Sequence, residues 1–235
     1  MLLGTAGLFL CVILVNGSRA GLVMGAVAIC WAFFIYQPPE AREVRGDEIK
    51  IRRLRMAIVA AFLFGLGLLT VVFSRAQSLD RALSADDNVI QRSDIWAVTL
   101  RQAFDFFPFG TGFGAFAEAY KMVEPTENMS RYYINHAHND WLEVVHDGGL
   151  LALALLVAAI GWWSVATTGL VRQGARATRR GRVGLAGAAI ICVLGMASFV
   201  DYPLRTAPLS ALFAIGAVWL AMAHEQSAKR GRPRT

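Results

Sequence analysis

The stretch NHAHNDWLEVVHDGGL, Asn135 to Leu150, gathers His136, His138, Asn139, Asp140, Glu143, His146 and Asp147, and it holds three of the chain's four histidines immediately ahead of an apolar run. Histidine beside carboxylates supports two chemistries. A neutral imidazole held against a hydroxyl acts as a general base, and a His-x-His pair with nearby carboxylates can supply metal ligands. Alternate residues share a side only in extended backbone, whereas Asp140 and Glu143 have the spacing of an N-terminal cap followed by a helix. Acid–base or structural roles are therefore favoured over a metal. The plainest alternative makes the histidines polar residues at a membrane boundary.

Two arginines and an aspartate have chemistry that complements such a base. Arg19 interrupts two apolar windows in NGSRAG, and Arg92 opens RSDIW, four residues before Trp96. Guanidinium is a rigid, permanently charged fork suited to phosphate oxygens, so together they could hold a pyrophosphate at a membrane interface. For Arg19 the alternative is snorkelling to lipid headgroups. For Arg92 it is a solvated face or a pair with Asp94. Asp201, in DYPLR, could orient a histidine or a substrate hydroxyl, although taken alone a helix-end pair with Arg205 is the simpler expectation.

The elements that must position these residues are membrane helices. Hydrophobic residues make up 56% of the chain and charged residues 17%, respectively above and below what a soluble domain carries. The windows 1–18, 20–39, 56–74, 148–171, 183–200 and 206–224 contain no Asp, Glu, Lys or Arg. At a rise of 1.5 Å per residue, each is about long enough to cross a ~30 Å hydrocarbon core. The expected fold is thus an all-α polytopic membrane protein with about six transmembrane helices. A signal peptide is disfavoured for the first window, which has no basic region before Leu2 and no small-x-small cleavage site before Arg19.

Charge fixes the expected orientation. Segments 37–55, 169–182 and 224–235 together hold 15 basic and 5 acidic residues, and the alternating segments 16–19, 75–147 and 201–205 hold 8 and 12. The positive-inside rule places the first set, and both termini, in the cytoplasm. Because the basic clusters flank membrane helices, the net charge of +6 needs no nucleic acid to explain it. The domain plan is three spans in 1–74 with the cytoplasmic loop 37–55, a long outward segment 75–147 carrying the histidine motif, three spans in 148–223, and a basic cytoplasmic tail 224–235. Cys11, Cys30 and Cys192 all fall in apolar windows and have no ligand or redox spacing, so they read as packing residues.

A loop as long as 75–147 is usually functional. Within it Val89, Trp96, Leu100, Ala103, Phe104 and Phe107 recur at helical spacing as far as Pro108. The resulting amphipathic helix either lies on the bilayer or packs on the protein's own helices. The glycine run PFGTGFGAF, Pro108 to Phe116, matches no nucleotide-binding pattern, and a tight turn letting backbone approach the membrane is preferred to a phosphate cradle.

In combination, SRAG at Ser18, Arg92 with Trp96, PFGTGFG at Pro108, HAHNDWLE at His136 and DYPLR at Asp201 resemble the O-antigen ligase family, polytopic enzymes related to the O-antigen polymerases. The ligase signature of that family is His, then Asn, Ser or Gln, nine residues, and Gly-x-x-Gly. Here His138-Asn139 is followed at that spacing by Gly149-Leu150-Leu151-Ala152, with alanine in place of the last glycine. The resemblance implies a metal-independent, cofactor-free inverting glycosyl transfer on the periplasmic side of the bacterial inner membrane. Its donor would be a glycan on undecaprenyl pyrophosphate and its acceptor a hydroxyl of lipid A core. His138 would be the base and Arg19 and Arg92 the pyrophosphate ligands, with Asp201, Asn139, His136 and Arg205 supporting or binding substrate and His146 a secondary candidate. The nearest rivals are a polymerase or a protein O-glycosylating enzyme of the same kind. A non-catalytic membrane scaffold or inactive fragment is the other class. Family members are normally longer, with further helices ahead of the SR-containing turn, so the resemblance also implies that this chain is the carboxy-terminal portion of a larger protein.

Overall fold

The computed structural model describes residues 19–36, 92–126 and 133–230. The chain divides into two compact units, 1–87 and 88–235. In the first unit the described element is α1, Arg19–Ile35, within which Val23–Ile35 forms an apolar helix shorter than a full span. The expected spans 1–18 and 56–74 and the loop 37–55 lie outside the described residues.

The second unit is built from α2 (Arg92–Asp105), α3 (Phe116–Lys121), α4 (Asp140–Arg172), α5 (Arg179–Ala197) and α6 (Ala207–Arg230), with single 3-10 turns at Ala175–Ala177 and Pro203–Arg205. No strand occurs among the described residues. α4, α5 and the Ala207–Gln226 part of α6 are each long and apolar enough to cross a membrane, so three of the six expected spans are seen here as such helices. Large apolar side chains along α4, including Leu151, Leu155 and Val157, are exposed, as expected of helix surfaces that face lipid tails rather than a protein core.

Small residues bring α5 and α6 together. A Cβ added to Gly184 would overlap the Ala223 methyl, and one on Gly187 would overlap Gly216 O. In a bilayer, where apolar burial between helices gains little, such backbone proximity supplies the van der Waals contact that holds helices together. The tight α4–α5 connection uses Gly174 at φ 67° and then Thr178, whose hydroxyl accepts from Gly181 N at 3.0 Å to cap α5. The α5–α6 connection carries Asp201 and Arg205.

α4 departs from expectation in an informative way. Its charge-free part begins at Gly148, but the helix itself begins at Asp140 and runs for 33 residues. It is broken at Gly149, whose φ of 56° and ψ of −139° are non-helical. The break leaves carbonyls of the first segment and an amide of the second without helical partners, and such groups must be satisfied. The glycine run does this. Thr111 N donates to His146 O at 3.0 Å, Gly112 N to Asp147 O at 2.8 Å, and Leu150 N to Pro108 O at 2.8 Å. Gly110 and Gly149, both at positive φ, meet backbone to backbone: a Cβ on Gly110 would overlap Asp147 O and one on Gly149 would overlap Pro108 O. The glycine run is therefore a clasp on α4.

The amphipathic reading of α2 has the right period, but the packed face is a different one. Ile95, Thr99, Gln102 and Ala103 are buried, whereas Leu100 and Phe104 are exposed. The buried polar groups have partners: Thr99 Oγ1 donates to Ile95 O at 2.7 Å and Gln102 Nε2 to Ala119 O at 2.5 Å. Ile95 joins Phe116, Tyr120, Ile134 and Ala137 in a small core beneath the histidine segment.

Candidate functional site

Residues 133–139 run without helix into α4. Ile134 and Ala137 point into the small core, and the alternate residues His136 and His138 both reach the ring of Tyr202, at centroid distances of 4.6 and 4.9 Å. The His-x-His pair thus does share a side, in a non-helical segment whose backbone turns left-handed at His138. Its two imidazoles nevertheless have different carboxylate partners, Glu143 for His136 and Asp201 for His138. Among the described residues no three His, Cys, Asp or Glu side chains gather as a metal-binding group.

The cap of α4 is one residue earlier than expected. Asn139 is the N-cap, its side-chain oxygen accepting from Leu142 N at 3.1 Å, and Asp140 is the first helical residue. Asn139 was a candidate for substrate contact, and its carboxamide oxygen is occupied in this turn. His138, just before it, adopts φ 53°, a left-handed conformation that costs a non-glycine residue about 1–2 kcal/mol. The neighbouring peptide is clamped from both ends. Ala137 N donates to Glu143 Oε2 at 2.8 Å, and Ala137 O accepts from Trp96 Nε1 at 2.9 Å.

His138, Asp201 and Arg92 come together on the solvent-accessible side of this turn. His138 Nδ1 lies 3.3 Å from Asp201 Oδ1, and Arg92 Nη2 lies 3.8 Å from Asp201 Oδ2. Arg92 Nη1 also donates to Val200 O at 2.6 Å. Arg92 therefore pairs with Asp201 and not with Asp94, and Asp201 is not the partner of Arg205. The Arg92 and Asp201 side chains are about half exposed, at 51% and 53%, and His138 is 30% exposed, so all three can be reached from outside. An ionised carboxylate only accepts hydrogen bonds. Facing Asp201, Nδ1 of His138 is the donor, and in the neutral ring the lone pair is then on Nε2.

Arg205 belongs to a second, deeper layer. Its Nη2 lies 3.0 Å from Glu143 Oε1 and its Nε 3.4 Å from Asp140 Oδ1. Asp140 Oδ2 accepts from Ser198 Oγ at 3.0 Å and from Leu204 N at 3.2 Å. These buried carboxylates tie the start of α4 to the α5–α6 connection, and with it they tie His138 to Asp201. The sequence marks Asp140 and Glu143 as a helix start and as carboxylates beside the histidines, without assigning them Arg205, and does not single out Tyr202. A usable signal was present: Asp140, Glu143 and Asp147 lie three and four residues apart on one helix face, and a buried acidic stripe requires cationic or N–H partners.

His146 is fully buried and lies away from the exposed trio. Its Nδ1 is 2.9 Å from Asp147 Oδ1 and its Nε2 is 3.2 Å from Gln102 Oε1. Asp147 Oδ2 in turn accepts from Gly114 N at 3.3 Å. This network pins α2 and the glycine run to α4. Arg19 opens α1 in the first unit, and its side chain lies outside the described residues.

A family model described as O-antigen ligase matches residues 4–157. The chain belongs to the O-antigen ligase family. Comparison with individual curated proteins gave no match. The stretch matched by the O-antigen ligase model contains Arg19, Arg92, His136, His138 and Asn139 and ends inside α4. Asp201, Tyr202 and Arg205 lie beyond it, and they reach the histidine segment through the fold of α4, α5 and α6.

Proposed function

We propose that this chain carries out glycosyl transfer from a glycan linked to undecaprenyl pyrophosphate to an acceptor hydroxyl, with lipid A core as acceptor, on the periplasmic side of the bacterial inner membrane. The observation that carries the reading is the accessible His138–Asp201–Arg92 trio in a chain of the O-antigen ligase family. His138 Nε2 takes the proton of the acceptor hydroxyl, while Asp201 holds the tautomer that makes Nε2 basic. The acceptor oxygen then bonds to the anomeric carbon from the face opposite the pyrophosphate. The bond from that carbon to the pyrophosphate oxygen breaks, with inversion, and its electrons leave with the pyrophosphate.

Arg92 stabilises the charge that grows on this leaving group. A guanidinium has five N–H donors, and that of Arg92 gives one to Val200 O and sets Nη2 towards Asp201, so the fork retains donors for phosphate oxygens. Interactions that strengthen as the bond breaks raise the rate of the chemical step. Arg19 is assigned the same task on the strength of the SRAG motif alone. Asn139, His136 and Arg205 support the turn that presents His138, and no step calls on a metal or cofactor. Lipid A core is preferred to a growing lipid-linked glycan or to protein as acceptor because His138-Asn139 and Gly149 keep the spacing of the ligase signature.

The test is complementation in a bacterial strain lacking its own ligase. Expression of the parent gene restores polymer on lipid A core, and His138→Ala or Arg92→Ala abolishes it at equal protein level. Retained attachment in either variant would refute the assignment. Lengthening of the lipid-linked glycan with none transferred to core would instead identify a polymerase.

A further inference from the structure

α2 packs through Ile95, Thr99, Gln102 and Ala103, and its exposed side, which carries Arg101 and Asp105, also carries an apolar stripe that the protein's own core does not use. Leu100, Phe104 and Phe107 follow one another at helical spacing and are all exposed, Phe104 to 72%. The turns after the helix add Phe106 and Phe109, the latter 88% exposed. Contiguous aromatic surface of this kind marks an interaction site rather than scattered exposure.

The place of this stripe in the fold identifies its occupant. Hydrogen-bonded turns follow α2 through the bonds Phe106 N to Gln102 O and Gly110 N to Phe106 O, so the aromatic end of α2 leads directly into the clasp on α4. There Leu150 N donates to Pro108 O, and the Phe113 ring lies against Gly148. Gly148 is where the charge-free part of α4 begins, and exposed Leu150, Leu151 and Leu153 follow at once. The Phe109 end of the stripe is therefore held at the start of a membrane-crossing segment, beside that segment's exposed leucines. Rings at this depth meet the zone between headgroups and acyl chains, which aromatic side chains prefer.

We infer that the α2 stripe from Leu100 to Phe109 docks into the interfacial layer of the lipid bilayer at the end of α4 that carries the His138 turn. The partner is the phospholipid surface itself. The buried side of α2 holds the histidine segment, through Ile95 in the core and Trp96 on Ala137 O, and its exposed side grips the bilayer. Lipid docking thereby sets the depth at which Arg92, the first residue of the same helix, is held.

Site-directed spin labelling tests this independently of any activity. Cys11, Cys30 and Cys192 are replaced by alanine in the whole chain, and nitroxides are placed in turn at Phe104→Cys and Phe109→Cys, with Glu118→Cys on α3 as the aqueous reference. Protein is reconstituted in phosphatidylethanolamine–phosphatidylglycerol vesicles. Collision with oxygen is compared with collision with a water-soluble nickel chelate. Docking gives an oxygen-to-nickel ratio several-fold above that of Glu118→Cys at both stripe positions. The inference is overturned if either label matches the aqueous reference. It is also overturned if either is shielded from both agents, the result expected when a second copy or another segment of the chain covers the stripe. Two label positions keep the test decisive should one substitution impair folding.

Discussion

His138 is presented in a strained backbone conformation, and the groups that hold it there are few and nameable. Glu143 and Trp96 clamp the Ala137 peptide before it, and the Asn139 cap follows it. Glu143 and Asp140 are buried and depend on Arg205. Removing one partner of a buried ion pair is far more damaging than the pair is stabilising, because a charge is left without compensation. Asp201 is a different case. It is half exposed, so its replacement should leave the fold nearly intact and act on the orientation of the imidazole. For Asp201→Asn we expect turnover to fall about 10- to 1,000-fold, within the range of base catalysis and tautomer control. Thermal stability should remain within about 0.5 kcal/mol, as for surface substitutions generally. Transfer rates of purified protein and its melting temperature check this. An unchanged rate would remove Asp201 from the mechanism.

At the scale of elements, the broken helix α4 is the organising piece. A continuous helix from Asp140 to Arg172 would have no main-chain groups to offer the glycine run. Gly149 exposes them, and the clasp then fixes Pro108 to Gly114, and through His146 and Gln102 also α2, against the head of the span. Gly149→Ala would bring a methyl group into Pro108 O and force an alanine to φ 56°. Strain of about 1–3 kcal/mol for the backbone alone is expected to come with a similar overpacking cost, seen as a clear fall in melting temperature in detergent. Gly161→Ala serves as the control. It lies in the same helix with open space where its Cβ would be, and it should be neutral or stabilising by up to about 1 kcal/mol. Equal behaviour of the two variants would show that the clasp is not needed.

Across the whole molecule, charge is segregated between the segments that join the membrane helices, with 15 basic and 5 acidic residues on one set and 8 and 12 on the other. The orientation proposed from this puts the α4–α5 turn in the cytoplasm and the His138 turn outside. Cysteines introduced singly at Gln173 and Glu118, both exposed, separate the two sides. In intact spheroplasts a membrane-impermeant maleimide should label Glu118→Cys at once and Gln173→Cys only after permeabilisation. The opposite pattern would place the His138–Asp201–Arg92 trio in the cytoplasm and remove the periplasmic reaction.

Sequence alone determined the helical membrane class and the helical period of α2. Each of these is a local property, set by hydropathy, period or residue type within one segment. The partners were another matter. Along the chain, Arg205 is the simplest partner for Asp201, four residues away, and the alternatives for Arg92 are a solvated face or Asp94, two residues away. In the fold Arg92 and His138 meet at Asp201 instead, and Arg205 turns to Asp140 and Glu143. Proximity along the chain favours such near pairings, but burial overrides it. Asp140 and Glu143 lose water when α4 packs against the α5–α6 connection, and burying them without compensation would cost more than any exposed pair returns. Only the tertiary structure decides which carboxylates are buried in this way. It therefore also decided that Arg205 goes inward, and that Asp201 is left at the surface for His138 and Arg92.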